Sequence, residues 1–275
     1  MVFLQRQIRS AGFGALQRGE NVKQVLVRGG KVCVEDVPVP GVMSGGALVR
    51  VHRSLISSGT ESGFVSDGGT ASFVMKKARD PLNVEKLKRK IASVGVRGAW
   101  EVVRNKLFEF QTPGYSCSGC IVQCGDDLQG FRMGDPVACA GVGYAAHAEY
   151  VWVPQNLLTP IPMGVGFDEA AFVALGAIAM QGVRQSAPTF GETFVIMGLG
   201  LLGQLALQIM RAAGCRVICS DPVPSKRELA ASLGADVVCS PGELSRTVDE
   251  WTGGFGADGV VICAASKGSE VTVSA

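Results

Sequence analysis

The run Gly198-Leu199-Gly200-Leu201-Leu202-Gly203 follows an apolar stretch, Thr193-Phe194-Val195-Ile196-Met197, and opens a second one, Leu201 to Ala213, with helical spacing. Glycines at that spacing between a strand and a helix suit a phosphate-binding turn. Gly198 permits the sharp bend, Gly200 lets a diphosphate approach bare backbone, and Gly203 lets the helix close on the sheet. The start of the helix adds unpaired N–H groups and the positive end of its dipole. Asp221 closes the next strand, eighteen residues after Gly203, where an acid accepts hydrogen bonds from the hydroxyls of an adenosine ribose. A carboxylate there repels a 2′-phosphate, so these residues predict NAD in preference to NADP. The plain structural alternative is a glycine-rich turn that binds nothing.

Nine cysteines, at 33, 117, 120, 124, 139, 215, 219, 239 and 263, invite a disulfide or metal reading. Their number is odd, and most lie in apolar runs such as Cys215-Arg216-Val217-Ile218-Cys219. They read as buried, reduced thiols behaving as small hydrophobes. Cys117, Cys120 and Cys124 fall on one strand, where alternation turns 117 and 120 to opposite faces and away from a shared metal.

The elements that must position these residues differ between the two parts of the chain. From Val22, two short apolar runs flank Gly29-Gly30 as a hairpin, and further strand text covers 47–56, 119–124 and 147–153 with Gly-Asp turns between. Short strands punctuated this often predict a small β-barrel or sandwich. Residues 74–108 interrupt them with helical spacing at Val84, Leu87, Ile91 and Val94. Between Lys76 and Lys106 ten basic and three acidic residues leave a local balance of +7. That insert, with Lys88 and Arg89, either frames a cleft that attracts an anionic substrate or is a solvated helical face. After Pro162 helices and strands alternate. Asp168 is the expected N-cap of a helix running to about Val183, and strands at 193–197, 215–220, 236–239 and 259–263 are separated by helices, which means parallel βαβ units.

The bulk composition narrows the remaining classes. A chain of 275 residues with 47% apolar and 18% charged residues has the composition of a globular protein with a sizeable core. A net charge of +2 supplies no global field for nucleic acid or a membrane surface. No segment approaches the about 20 apolar residues of a membrane span. Residues 1–22 read as a leader outside the folded part, and three arginines within them also suit an organellar transit peptide.

Barrel first and dinucleotide fold second resembles the medium-chain dehydrogenase/reductase superfamily, the zinc alcohol dehydrogenase-like proteins. The resemblance covers residues 23–275 and rests on Gly125-Asp126-Asp127-Leu128-Gln129-Gly130-Phe131-Arg132-Met133-Gly134-Asp135-Pro136-Val137, on Ala148-Glu149-Tyr150-Val151-Trp152-Val153-Pro154 and on the turn at 198–203. It implies an α/β protein with an all-β N-terminal part: a GroES-like barrel over 23–160, then a Rossmann doubly wound parallel sheet over 161–275. It also places Lys226 on the cofactor ribose. Residues 54–61 and 175–182, with the insert, look closest to a subgroup often fused to a glucose-fructose-oxidoreductase-like dehydrogenase.

The superfamily's zinc donors are replaced. The position of its first ligand, one residue before Gly59-Thr60, holds Ser58; its second holds Tyr115 within Gly114-Tyr115-Ser116; its third holds Leu175. None is a thiolate, imidazole or carboxylate, and the four-cysteine structural lobe is missing between Val137 and Ala148. The resemblance therefore implies a zinc-independent NAD(H) oxidoreductase acting on an alcohol or carbonyl. Thr60 matches the superfamily's relay hydroxyl, Tyr115 stands where a metal ligand did, Ser58 lies beside them, and His147 belongs to the one side-chain type that changes charge near neutrality. Each also reads as a barrel residue with a satisfied hydrogen bond.

The implied partners are a small-molecule substrate such as a sugar or nucleotide-sugar, a fused or separate dehydrogenase domain and a homo-oligomer in the full-length form, in the cytoplasm. The Rossmann unit of the superfamily has six strands, and four are legible before Ala275. The chain thus reads as a fragment of a longer protein or a truncated gene. The alternative to an enzyme is a nucleotide-binding module without catalysis.

Overall fold

The structure is a computed structural model and describes residues 20–28, 30–57, 59, 61 and 111–264. Contacts divide the chain into two units, the break falling between Val173 and Ala174. The basic insert at 74–108, residues 1–19, Ser58 and Thr60 lie outside the described residues, while Asn21 and Val22, expected in the leader, belong to the first strand, with Val22 buried.

In the first unit β1 (Asn21–Arg28) and β2 (Lys31–Pro38) form the expected hairpin, paired from Asn21↔Pro38 to Arg28↔Lys31. Gly30 turns it at φ 78°, a backbone state that residues with a Cβ rarely adopt. Five further strands form an antiparallel sheet: β3 (Gly46–Ser54), β4 (Ser116–Cys124), β5 (Pro136–Ala140), β6 (Tyr150–Pro154) and β7 (Leu158–Pro160), in the order β6-β3-β4-β5-β7. Bridges at Gln24↔Ala148 and Val27↔Gln111 tie the hairpin to it. One face of the sheet packs Ala47, Val49, Ile121, Val137, Val151 and Val153 into a core. Cys117 and Cys139 oppose each other across β4 and β5 within that core. A hydrogen bond between the two sulfurs, followed by burial, holds the Cys117 thiol well above its ordinary range. Cys120 and Cys124 are only half-buried.

The helix expected from Asp168 to Val183 is two helices. The first, α1 (Phe167–Ala170), starts after Gly166, and α2 (Val173–Gln185) follows a break. Asp168 is not the cap; its carboxylate accepts a hydrogen bond from Arg53 Nε. The break is a tertiary effect. Ser116 Oγ donates to the Ala171 carbonyl at 2.6 Å and Ser118 Oγ to that of Phe167 at 2.6 Å, drawing the first turn onto β4.

The second unit has a parallel sheet ordered β10-β9-β8-β11, from β8 (Thr193–Met197), β9 (Arg216–Ser220), β10 (Val237–Cys239) and β11 (Gly259–Ile262). Its helices are α3 (Leu201–Ala212), α4 (Pro224–Ser232) and α5 (Leu244–Thr252). All five residues of β8 are buried, as a parallel strand covered on both faces must be. Phe194 and Ile196 pack with Leu207 and Met210 of α3, while Val195 and Met197 pack with Ile218, Cys239 and Leu244.

Burial, then the charges of Cys239, Asp236 and Cys263, push the Cys219 thiol from 9.0 up to about 12. Its folded value lies above the unfolded one, so its contribution to stability is complete below pH 9.0 and is lost as pH climbs toward about 12. The thermal midpoint is expected to fall across that window, and a Cys219→Ala variant to fall less steeply. A flat profile in the parent protein would contradict a buried thiol at this position. Among the described residues, no helix is long and apolar enough to cross a membrane.

Candidate functional site

The glycine turn joins β8 to α3 as its spacing requires. Gly198 has φ 93°, and a Cβ there would lie 2.6 Å from the Ala264 nitrogen. A Cβ on Gly203 would lie 2.0 Å from the Gly198 carbonyl oxygen. Gly203 is therefore small so that α3 can sit against the turn. Gly200 differs: a Cβ there would meet nothing within 4 Å, and its φ is −72°. Packing does not demand a glycine at this position, and its bare backbone leaves room for a ligand to approach. Gly200 is also the N-cap of α3; no side chain caps this end, and no acid sits in the first turn. The N–H groups of Leu201, Leu202 and Gly203 are thus directed outward with the positive pole of the helix behind them. Leu199 is buried beneath the turn.

Asp221 follows β9 with only 3% exposure. Its Oδ2 accepts the Leu199 amide at 2.8 Å, its Oδ1 accepts the Val223 amide at 2.9 Å, and Lys226 Nζ stands 3.5 Å from Oδ2. Asp221 therefore fastens the glycine turn to the next loop. Each carboxylate oxygen has two acceptor directions, so Oδ1 retains one for a hydroxyl from outside. The Lys226 side chain is 44% exposed.

Gln204, absent from the sequence expectations, is 7% exposed and donates through Nε2 to the Lys226 carbonyl at 2.9 Å. Its Oε1 is buried without a hydrogen-bond partner among the described residues. The available signal was an amide in the otherwise apolar start of α3.

In the barrel unit the Tyr115 hydroxyl is buried and has no hydrogen-bond partner among the described residues. An orphaned buried hydroxyl costs about 1–3 kcal/mol, which a ligand oxygen could relieve. Tyr115 follows Gly114, whose φ of 100° brings the strand lead-in against the next loop; a Cβ on Gly114 would lie 2.7 Å from the His147 nitrogen. The His147 amide donates to the Pro113 carbonyl at 3.1 Å, so the backbones carrying Tyr115 and His147 touch. His147 is 5% exposed, with Nδ1 2.9 Å from Ser54 Oγ and Nε2 2.9 Å from Glu61 Oε2. Sequence reasoning named His147 but neither partner, because Ser54 and Glu61 lie 93 and 86 residues away in sequence.

Two of the three positions that zinc would use are described. Tyr115 offers a phenol and Leu175, 4% exposed in α2, a hydrocarbon. Neither belongs to the donor types zinc prefers. These residues do not fit the metal.

Two family models match: a zinc-binding dehydrogenase model over residues 202–274 and an alcohol dehydrogenase GroES-like domain model over 89–163. Both models are of domains found in zinc-type alcohol dehydrogenase-like proteins, and the chain is similar to that family over these two stretches. Among curated relatives, a 2-dehydro-3-deoxy-L-galactonate 5-dehydrogenase of Pseudoalteromonas atlantica is 32% identical over 175 residues, covering 54% of this chain and 51% of the relative. A D-guloside 3-dehydrogenase of Escherichia coli is 31% identical over 149 residues, covering 52% and 41%. The chain thus spans about half the length of the curated relatives it matches.

Two solved structures share the fold of this chain. An Escherichia coli alcohol dehydrogenase complexed with NADH aligns with a TM-score of 0.68 at 18% identity over 90% of this chain and 71% of its own. A Thermus thermophilus quinone oxidoreductase, also solved with NADPH, aligns at 0.64 and 22% over 92% and 69%.

Proposed function

We propose that this chain serves an NAD(H)-dependent, zinc-independent oxidoreductase of the alcohol dehydrogenase type, acting on an alcohol or carbonyl of a sugar-like or anionic small molecule. The observation that carries the reading is Gly200, a residue whose lack of a Cβ no neighbour explains, placed on an uncapped helix start. Leu199 to Gly203 would hold the diphosphate, and Asp221 with Lys226 the adenosine ribose. The bound nicotinamide supplies hydride exchange with a substrate carbon. The sugar dehydrogenases among the relatives support the substrate class.

The protein's own share of the chemistry is the proton. Tyr115, with an unpartnered hydroxyl inside the barrel unit, is the group proposed to hold the substrate oxygen, together with Thr60 from the sequence resemblance. The test is turnover with polyols and sugar alcohols, followed by reduced-nicotinamide absorbance, with and without a zinc chelator. Tyr115→Phe should lower kcat by about 100-fold, the scale of general acid–base assistance, leave NADH affinity unchanged and hold or raise the thermal midpoint, because the buried hydroxyl it removes has no partner among the described residues. Unaltered turnover in that variant removes Tyr115 from the mechanism, and loss of activity on chelation removes zinc independence.

A nucleotide-binding module without catalysis is the second reading, favoured by the phenol and hydrocarbon at two ligand positions. NADH binding without turnover on any substrate of these classes would select it.

A further inference from the structure

We propose that Ser54, His147 and Glu61 form a proton relay in the barrel unit, with Ser54 as its outer member. This rests on the oxidoreductase reading above and adds two residues to it.

The three groups make one hydrogen-bonded line: Ser54 Oγ to His147 Nδ1 at 2.9 Å, then His147 Nε2 to Glu61 Oε2 at 2.9 Å. The inner two are withdrawn from solvent, with side-chain exposures of 4% for His147 and 10% for Glu61. A carboxylate in such a place needs its partners, because burying an uncompensated charge is far costlier than burying a paired one. Glu61 has them. Its other oxygen, Oε1, accepts the Ser57 amide at 3.1 Å, and its own amide donates to the Ser57 carbonyl at 2.8 Å. The imidazole is anchored through its backbone as well, by His147 N–H on Pro113 O and Val25 N–H on His147 O, at 3.1 and 2.8 Å.

The protonation pattern follows from the acceptors. An ionised carboxylate only accepts, so Nε2 carries the ring proton and Nδ1 presents its lone pair to Ser54. The Ser54 hydroxyl then donates to Nδ1 and turns its oxygen lone pairs elsewhere. Ser54 is the last residue of β3 and the half-buried member of the three, so the line runs from the interior outward. It also lies on the same 54–61 stretch in which the superfamily resemblance sets Ser58 and Thr60.

In alcohol oxidation, the substrate O–H proton passes to Ser54 Oγ as the serine's own proton passes to His147 Nδ1. The imidazolium so formed sits between Ser54 and Glu61. The C–H electron pair would leave as hydride to the oxidised nicotinamide of the reading above as the carbonyl forms. Reduction runs the same transfers backwards. Glu61 acts through His147 and is a positioning residue.

The chain has two histidines, His52 and His147, so a nitrogen–proton correlation spectrum of the imidazoles contains two ring systems, and His52→Gln assigns them. The expected spectrum of the full chain shows His147 with its proton on Nε2, and Glu61→Gln redistributes it between the two nitrogens. Ser54→Ala should lower kcat by about 100-fold with NADH affinity unchanged, and Ser54→Thr should restore most of the loss. A proton on Nδ1 in the parent protein, or full turnover in Ser54→Ala, overturns the relay and leaves the oxidoreductase reading standing. A parent protein that binds NADH but turns over no alcohol or carbonyl overturns both. The spectrum needs no variant at Ser54 or Glu61, so misfolding of either leaves it decisive.

Discussion

Gly200→Ala is expected to fold as the parent does and to bind NADH at least about tenfold more weakly, a loss of roughly 1.4 kcal/mol. The added methyl meets no protein atom within 4 Å. Stability changes only through the N-cap preference, where alanine is poorer than glycine by less than about 1 kcal/mol. The methyl does occupy the approach to the amides of Leu201 and Leu202, where a diphosphate would have to pack. Gly203→Ala is the converse substitution in the same motif. Its Cβ would stand 2.0 Å from a backbone oxygen, and neither Gly198 nor α3 can yield without disturbing β8. A loss of about 1–3 kcal/mol or more is expected, the range for overpacking a close-packed site. Thermal midpoint and nucleotide affinity, measured on both variants, should therefore separate: affinity is the larger change at 200, and stability the larger change at 203. Equal affinity in Gly200→Ala and the parent would show that the free space there serves no ligand.

Asp221→Ala should be the most damaging single replacement in the second unit outside its apolar core. It leaves the Leu199 and Val223 amides without their acceptor, at about 1–3 kcal/mol for each donor that stays buried. It also leaves Lys226 without the carboxylate 3.5 Å away, a smaller effect because that side chain is 44% exposed. In denaturant unfolding the midpoint should fall with the slope unchanged. Binding should show a second signature. NADH loses a ribose acceptor, while NADPH gains by removal of a negative charge next to its 2′-phosphate, so the preference for NADH narrows or reverses. Retention of the parental NADH-to-NADPH ratio would take Asp221 out of cofactor selection.

The second unit was readable in the sequence because its signals are local. The glycines at 198, 200 and 203 sit between an all-apolar strand and an amphipathic helix, so strand, turn and helix specify each other within about twenty residues. The type of Asp221 was equally readable, though its grip on Leu199 and Val223 was not, since a carboxylate that reads as a ribose acceptor can also be one for backbone amides. The barrel half was readable as strands and turns but not as a site. Ser54, His147 and Glu61 meet through contacts 86 and 93 residues long, and nothing in the neighbourhood of any one of them announces the other two. The division of α1 from α2 has the same origin. Periodicity from 168 to 183 is continuous, and the helix is broken by serine hydroxyls 49 and 55 residues earlier in the chain. Local pattern fixes an element's type, whereas hydrogen bonds from distant strands decide where it stops and which buried polar groups become neighbours.

The most direct measurement is a calorimetric titration of the folded full chain with NADH, repeated on Gly200→Ala. Saturable heat at a single site in the parent, at least about tenfold weaker in the variant, is the predicted result. No saturable heat in a parent protein whose folding is verified by a cooperative thermal transition would contradict the nucleotide site and the oxidoreductase reading built on it.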